Sequence, residues 1–255
     1  MAHLSHAQHV ALAQAGSSGL APWPAPSGRS DFAPLDPRAC RLNQQWRETL
    51  AIITAEVGRA VTGARVWEAI ARLGRMDEWI LDAWAGAMLR CAYDPIDKAL
   101  APFLFAALQV HFMAAAALLD PAVLERPARP PVLCPACGSP PQTSIVAHVA
   151  HLRGSRFVCC TLCASQWHME RIRCTYCGRN DKVTYFAPEG QAANGALKAE
   201  SCEYCRSYIK IMYLEKDPEL DPVADDLASL ALDLAMAEQG WRRSAPIPFI
   251  AVAKD

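Results

Sequence analysis

Four Cys-x-x-Cys pairs stand between Cys134 and Cys205: Cys134/Cys137, Cys160/Cys163, Cys174/Cys177 and Cys202/Cys205. Two thiolates three residues apart can meet one ion from a tight turn, whose amide N–H groups hydrogen-bond the sulfurs and spread their charge. Two such turns complete a tetrahedral four-sulfur site, which suits zinc or a single iron. Disulfide frameworks serve small secreted chains that cannot bury a core. This chain has 255 residues, 52% of them hydrophobic, so it can bury one. Its 11 cysteines are an odd number and mostly fall at metal-ligand spacing. Metal-bound thiolates in a reducing compartment are therefore expected.

An internal repeat says which pairs share an ion. Cys134-x-x-Cys137-Gly138 matches Cys174-x-x-Cys177-Gly178 at an offset of 40, and Cys160-x-x-Cys163-Ala164-Ser165 matches Cys202-x-x-Cys205-Arg206-Ser207 at an offset of 42. A duplicated unit carries its own complete site. The expectation is sequential pairing: Cys134, Cys137, Cys160 and Cys163 on one metal, and Cys174, Cys177, Cys202 and Cys205 on the other. A cross-braced arrangement is the competing topology. Cys159 is left out, because on a strand its side chain points away from that of Cys160. His148, His151 and His168 are given surface or supporting roles, since eight cysteines already fill two sites. A redox CxxC of the thioredoxin kind needs one pair at a helix N-terminus in a βαβ setting, which four pairs among short strands do not match. A site closed by four thiolates keeps no open position for water, so catalysis is not expected there.

The rest of the chain reads as an α+β protein: an N-terminal helical bundle, two tandem zinc-ribbon-like four-cysteine modules, and a C-terminal helix. The expected divisions are a mobile segment at 1–37, a helical domain at 38–125, the metal modules at 132–216, and a helix and tail at 217–255. A short helix is expected at 3–15, then a loop at 16–37 with five prolines. Asp36-Pro37 suits a helix start, and Leu42, Trp46, Leu50, Ile53 and Val57 recur at helical spacing. Trp67, Ile70 and Leu73 suggest a second helix, and Trp79, Ile80, Trp84, Met88 and Leu89 a third. Trp46, Trp67, Trp79 and Trp84 are all expected in the core, and Cys40 and Cys91 as isolated structural thiols. The prolines of 126–131 make a stiff linker. Strands are expected at 144–149, 156–159, 167–173, 182–186 and 208–214. Asp221-Pro222 opens a last helix with Val223, Leu227, Leu230 and Leu234 as its apolar face and Gly240 as its stop.

Charge and hydropathy narrow the function classes. Net charge is −1, giving no general pull toward nucleic acid. Residues 134–216 hold ten Lys and Arg against six Asp and Glu, a surplus of +4. A divalent ion among four thiolates carries −2, so two such sites cancel that surplus and no basic stripe remains for phosphates. Residues 99–119 lack Asp, Glu, Lys and Arg and could span a bilayer by length. Eight of them are alanine, and Pro102, Gln109 and His111 interrupt the run, so a buried helix is expected. The first residues lack Lys and Arg, and their apolar run, 10–13, is too short for a signal-peptide core.

Three stretches carry a family resemblance: CPACGSPP at 134–141, the Cys-x-x-Cys-x-Ser-x-Trp-His run ending at His168, and KAESCEYCRSYIKIMYLEKDPELDPVADDLASLALD at 198–233. Together they resemble the FdhE family, accessory proteins of formate dehydrogenase maturation. The resemblance is strong from about Cys134 to Phe249 and loose before it. It implies a cytoplasmic, non-enzymatic protein with rubredoxin-like sites, iron favoured and zinc possible, whose ligands are the eight paired cysteines. It also implies a partner, the catalytic subunit of formate dehydrogenase, met before export. There are two departures. The longer arginine-bearing helical segment usual at the family's N-terminus is not seen in the first 40 residues. The family's C-terminal Asn-Pro-Phe reads Ile247-Pro248-Phe249 here. Asp225 and Asp226 admit a partner-docking or iron-delivery role beside a plain one, complementing a helix dipole. The competing function is a rubredoxin-like electron carrier, since a four-cysteine iron cycles between Fe(II) and Fe(III). A helical half of about 130 residues is more than a small carrier needs, which favours a partner-binding scaffold.

Overall fold

The computed structural model describes residues 2–17, 33–38, 42–122, 132–149, 152–187 and 195–245. Cys40, His151, the proline-rich stretch 126–131 and residues 247–249 lie outside the described residues. The chain divides into two compact units, Met1–Asp120 with Pro246–Asp255, and Pro121–Ala245.

The first unit is helical, with α1 Ala2–Ser17, α2 Gln45–Ala60, α3 Ala64–Leu73, α4 Glu78–Leu89 and α5 Ala101–Ala116. The short helix expected near the start is α1, which packs on α2 and α5 and buries Leu4, Ala7 and Ala11. Trp46, Leu50, Ile53 and Val57 form the buried stripe of α2, as their spacing predicts. The helix starts later than Asp36-Pro37 suggests. Asp36 instead accepts the Arg38 N–H at 2.9 Å in a local turn, and Asn43 Oδ1 accepts the Gln45 N–H at 3.1 Å where α2 begins. The Trp46 indole donates to Asp82 Oδ1 at 3.0 Å, and Arg47 reaches the same carboxylate at 2.7 Å, which ties α2 to α4.

The span-length apolar run is α5, 16 residues long and buried along most of its length, including Gln109 and His111. Among the described residues no helix is long and apolar enough to cross a membrane. The expectation of four core tryptophans holds only for Trp46. Trp67 is half exposed, its indole donating to the Val61 carbonyl at 3.0 Å, Trp79 is 70% exposed, and Trp84 is partly covered. Spacing marks one face of a helix, but α3 and α4 bury alanines, leucines and Met88 on the face they turn inward. Cys91, expected as an isolated structural thiol, is exposed just past the end of α4 at φ 58°.

The second unit holds one sheet: β1 Pro141–Val149, β2 Leu152–Cys160, β3 Gln166–Met169, β4 Val183–Phe186, β5 Leu197–Cys202, β6 Ser207–Tyr213 and β7 Arg242–Arg243, with α6 Ala224–Ala228 and α7 Leu230–Glu238. The strand order is β3-β2-β1-β6-β5-β4. Each repeat makes an antiparallel three-stranded half, and parallel pairing of β1 with β6 joins the halves. β7 pairs parallel with the start of β6, at Ser207 and Tyr208. The sequence reading missed β5, LKAESC, whose Lys, Ala and Glu are poor strand formers. Pairing on both edges overrides that preference, and its buried Glu200 is matched by buried Arg156 of β2 at 2.6 Å.

The last helix departs most from expectation. It breaks at Ser229 into α6 and α7, and Leu230 and Leu234 are 42% and 62% exposed. The inward residues are Asp226, Ser229, Leu232, Asp233 and Met236. Leu232 and Met236 pack with Ala199, Tyr208 and Trp241. The polar members point at Lys210, which donates to the carbonyls of Asp226 at 2.6 Å and Ser229 at 3.0 Å, where the helix is interrupted. A buried cation under these turns rewards exposed carbonyls and inward carboxylates over a continuous apolar face.

Candidate metal centres

The duplicated sequence folds into duplicated turns. Gly138 and Gly178 both have φ 74°, which only glycine adopts without strain, and each N–H closes its turn on the carbonyl of the first cysteine, at 2.8 Å to Cys134 and 3.0 Å to Cys174. Ala164 and Arg206, each following a second pair, have φ 54° and 57°. The Thr161 N–H bonds the Pro140 carbonyl at 3.2 Å, and the Glu203 N–H bonds that of Lys182 at 3.0 Å. These bonds lock the second turn of each unit onto the chain following its first turn.

The structure brings together Cys134, Cys137, Cys160 and Cys163, and separately Cys174, Cys177, Cys202 and Cys205, with all four sulfurs of a group within 4.8 Å of one another. The grouping is sequential, not crossed. Within the groups, sulfurs lie 3.6 Å (Cys134–Cys163), 3.4 Å (Cys137–Cys160), 3.6 Å (Cys174–Cys205) and 3.8 Å (Cys177–Cys202) apart. Four sulfurs set about 2.3 Å from one ion sit about 3.8 Å apart at tetrahedral geometry, whereas a disulfide needs about 2.05 Å. The spacing therefore fits a tetrathiolate ion and not a pair of disulfides.

Electrostatics point the same way. Burial pushes the thiols of Cys137 and Cys160 well above the usual range, while hydrogen bonds from Cys134, Cys137 and Cys160 hold Cys163 well below it. In the second group burial raises Cys177 to about 12. For Cys205 burial acts upward too, but the Ser207 hydroxyl and N–H and the neighbouring thiols outweigh it. Ser207 Oγ lies 2.9 Å from Cys205 Sγ, as Ser165 Oγ lies 3.2 Å from Cys163 Sγ. Backbone N–H groups of Leu162 and Tyr176 donate to Cys160 and Cys174, each at 3.4 Å. Buried thiols of this kind ionise together only when a cation enters among them.

Known proteins agree with this architecture along its length. The FdhE N-terminal description matches residues 1–129, the FdhE central domain residues 133–171, and the FdhE C-terminal domain residues 172–250. A Protein FdhE homolog of Pseudomonas aeruginosa is 39% identical over 237 residues, covering 84% of this chain and 75% of that protein. One from Proteus mirabilis is 35% identical over 254 residues, covering 97% of this chain and 81% of its own. The crystal structure of the FdhE protein from Pseudomonas aeruginosa superposes with a TM-score of 0.80 at 34% identity, over 98% of this chain and 87% of that one.

The chain belongs to the FdhE family. The match spans the helical unit as well, so the resemblance is not confined to the part after Cys134.

Other residues weighed from the sequence lie outside the two FdhE quartets. Cys159 is buried with its sulfur 3.7 Å from the Ala164 carbonyl, and burial raises its thiol to about 12. His148 pairs with Glu215 at 3.3 Å, and exposed His168 sets its ring edge-on to Phe157. Asp221 Oδ1 caps the turn before α6, accepting the N–H groups of Val223 and Ala224, while Asp225 reaches back to the Asp221 N–H at 2.7 Å. Asp226 is fully buried between Lys210 at 3.4 Å, Arg243 at 2.7 Å and Gln142 at 2.9 Å. Asp233 completes the network with Lys210 at 2.6 Å, Arg243 at 3.0 Å and the Tyr208 hydroxyl at 2.7 Å. Sequence reasoning missed Lys210 and Arg243. The available signal was a lysine inside SYIKIMY, an apolar strand that buries it only with partners.

Sequential grouping makes a sharp prediction. Cys134→Ser with Cys137→Ser halves the metal bound per chain and leaves the second quartet filled, as read by elemental analysis of folded protein. Replacing Cys160 and Cys163 as well leaves that half unchanged. A quadruple variant that is folded yet holds no metal contradicts it.

Proposed function

We propose that this chain is a non-enzymatic accessory protein that binds the catalytic subunit of a formate dehydrogenase in the cytoplasm and assists its maturation, with two metal ions held by its eight paired cysteines. The observation that carries this reading is the family match along the whole chain, helical and metal-site regions together. The quartets support the non-catalytic part, because four sulfurs at tetrahedral spacing use every position of an ion that would otherwise activate water. Iron is the favoured ion and zinc the other candidate. Bound there, either cross-links two turns, and iron adds a one-electron couple. The chain's own residues do the rest. Turns fixed by Gly138 and Gly178 present backbone and side chains at low entropic cost to a partner.

The test is co-purification of tagged protein from cells making the dehydrogenase, beside deletion of the gene. The catalytic subunit is expected in the eluate, and dehydrogenase activity is expected to collapse in the deletion strain while subunit transcripts stay near normal. Full activity without the protein, and no subunit in the eluate, overturns the reading. Sustained stoichiometric electron flow from the dehydrogenase through the bound iron would favour an electron carrier instead.

A further inference from the structure

The two quartets share a backbone but not a cover. Cys134, Cys137, Cys160 and Cys163 are each at most 4% exposed, and the turn residues Ala136, Thr161 and Leu162 are buried over them. The Thr161 hydroxyl adds a second bond to the Pro140 carbonyl, at 2.8 Å. In the second quartet Cys177 and Cys205 are partly exposed. The corresponding turn positions carry Tyr176 and Tyr204, 48% and 59% exposed, with exposed Glu203 in place of Thr161. Charge differs as well. Where the first repeat has Ser139 and Ala164, the second has Arg179 and Arg206. The Arg179 guanidinium stacks 4.1 Å from the Tyr204 ring, Arg242 lies 4.5 Å from the Tyr176 ring, and Arg206 3.9 Å from the Trp241 ring. The second centre is thus flanked by two exposed tyrosines carrying arginines, with Arg206 over the buried Trp241, and the first is sealed by small and apolar residues.

We infer that the two centres have divided roles: the first is a closed structural clamp, and the second exchanges its ion with anionic thiol ligands from solution. The inference rests on the metal reading above and deepens it. Ligand exchange at a tetrahedral thiolate ion passes through a fifth contact, so an incoming sulfur must reach the ion. Cys177 and Cys205 offer that approach, and the shell around a site governs such access. In the exchange the incoming sulfur bonds the ion, the bond to Cys177 or Cys205 breaks, and the proton given up by the incoming thiol passes to the departing Sγ. No electron moves. Arg179 is paired with Asp181 at 3.1 Å and Glu203 is exposed on the same rim, so Arg206 and Arg242 leave a small positive surplus, which favours a ligand that arrives negatively charged.

The experiment uses wild-type protein at its native metal content. Dimercaptosuccinate, an anionic dithiol, is added, and at intervals the protein is alkylated and mapped by mass spectrometry while bound metal is counted on intact chains. A one-metal species is expected, with label on Cys174, Cys177, Cys202 and Cys205 appearing on the order of tenfold faster than on the first quartet, as outer-shell effects of about 10–100-fold allow. Arg179→Gln with Arg206→Gln is expected to slow removal by dimercaptosuccinate but not by neutral dithiothreitol. Simultaneous labelling of both quartets, or earlier labelling of Cys134, Cys137, Cys160 and Cys163, overturns the division of roles. Two metals per chain at the outset keep the metal reading intact in that case. Protein that starts without metal and labels at all eight cysteines removes the metal reading and this inference together.

Discussion

Full removal of metal is expected to unfold the sheet unit, Pro121–Ala245, while the helical unit stays protease-resistant. Strands β3 and β4 have four residues each, and the apolar cluster between sheet and α7 is small. Much of the order near the cysteines comes from turns held together at their sulfurs. A structural tetrathiolate site contributes on the order of 10 kcal/mol to folding, comparable to the whole stability of an ordinary domain at about 5–15 kcal/mol. Emptying the exposed centre loosens the half built from β4, β5 and β6. Emptying both leaves the sheet without either clamp, and parallel pairing of β1 with β6 cannot hold alone. Limited proteolysis with and without chelator, read by mass spectrometry, checks this. New cuts are expected between 132 and 245, with fragments of the helical unit persisting. Equal resistance in both conditions sinks the prediction.

Asp226→Ala is expected to destabilise the sheet unit severely, and Asp225→Ala hardly at all. Asp226 is fully buried and shares Lys210 and Arg243 with Asp233. Removing one member of a buried ionic network leaves uncompensated charge and costs about 3–5 kcal/mol. With a urea dependence of about 2 kcal/mol per molar, the midpoint falls by about 2 M. Lys210→Ala is expected to do the same or worse, because it leaves two carboxylates facing one arginine. Asp225 is only partly buried and contributes a turn contact to the Asp221 N–H. Urea titration of the three variants at equal metal content decides. The network makes Asp226 a structural residue. A stable Asp226→Ala protein that fails only to retain its partner would return that aspartate to a docking role.

Local chemistry explains what was legible in the sequence. A Cys-x-x-Cys-Gly turn is set by three or four residues, and repetition at offsets of 40 and 42 carries the grouping of eight cysteines without reference to the rest of the fold. The stripe Trp46, Leu50, Ile53 and Val57 was legible for the same reason, since its inward face is apolar. The tertiary structure alone decided three things. It joined the repeats through β1 and β6, a pairing between strands distant in sequence. It made LKAESC a central strand by matching Glu200 to Arg156. It turned Asp226 and Asp233, not Leu230 and Leu234, inward to meet Lys210 and Arg243. Hydrophobic periodicity assumes that what faces inward is apolar, and it fails where a buried charge finds its counter-charge on another element, because that match exists only once the chain is folded.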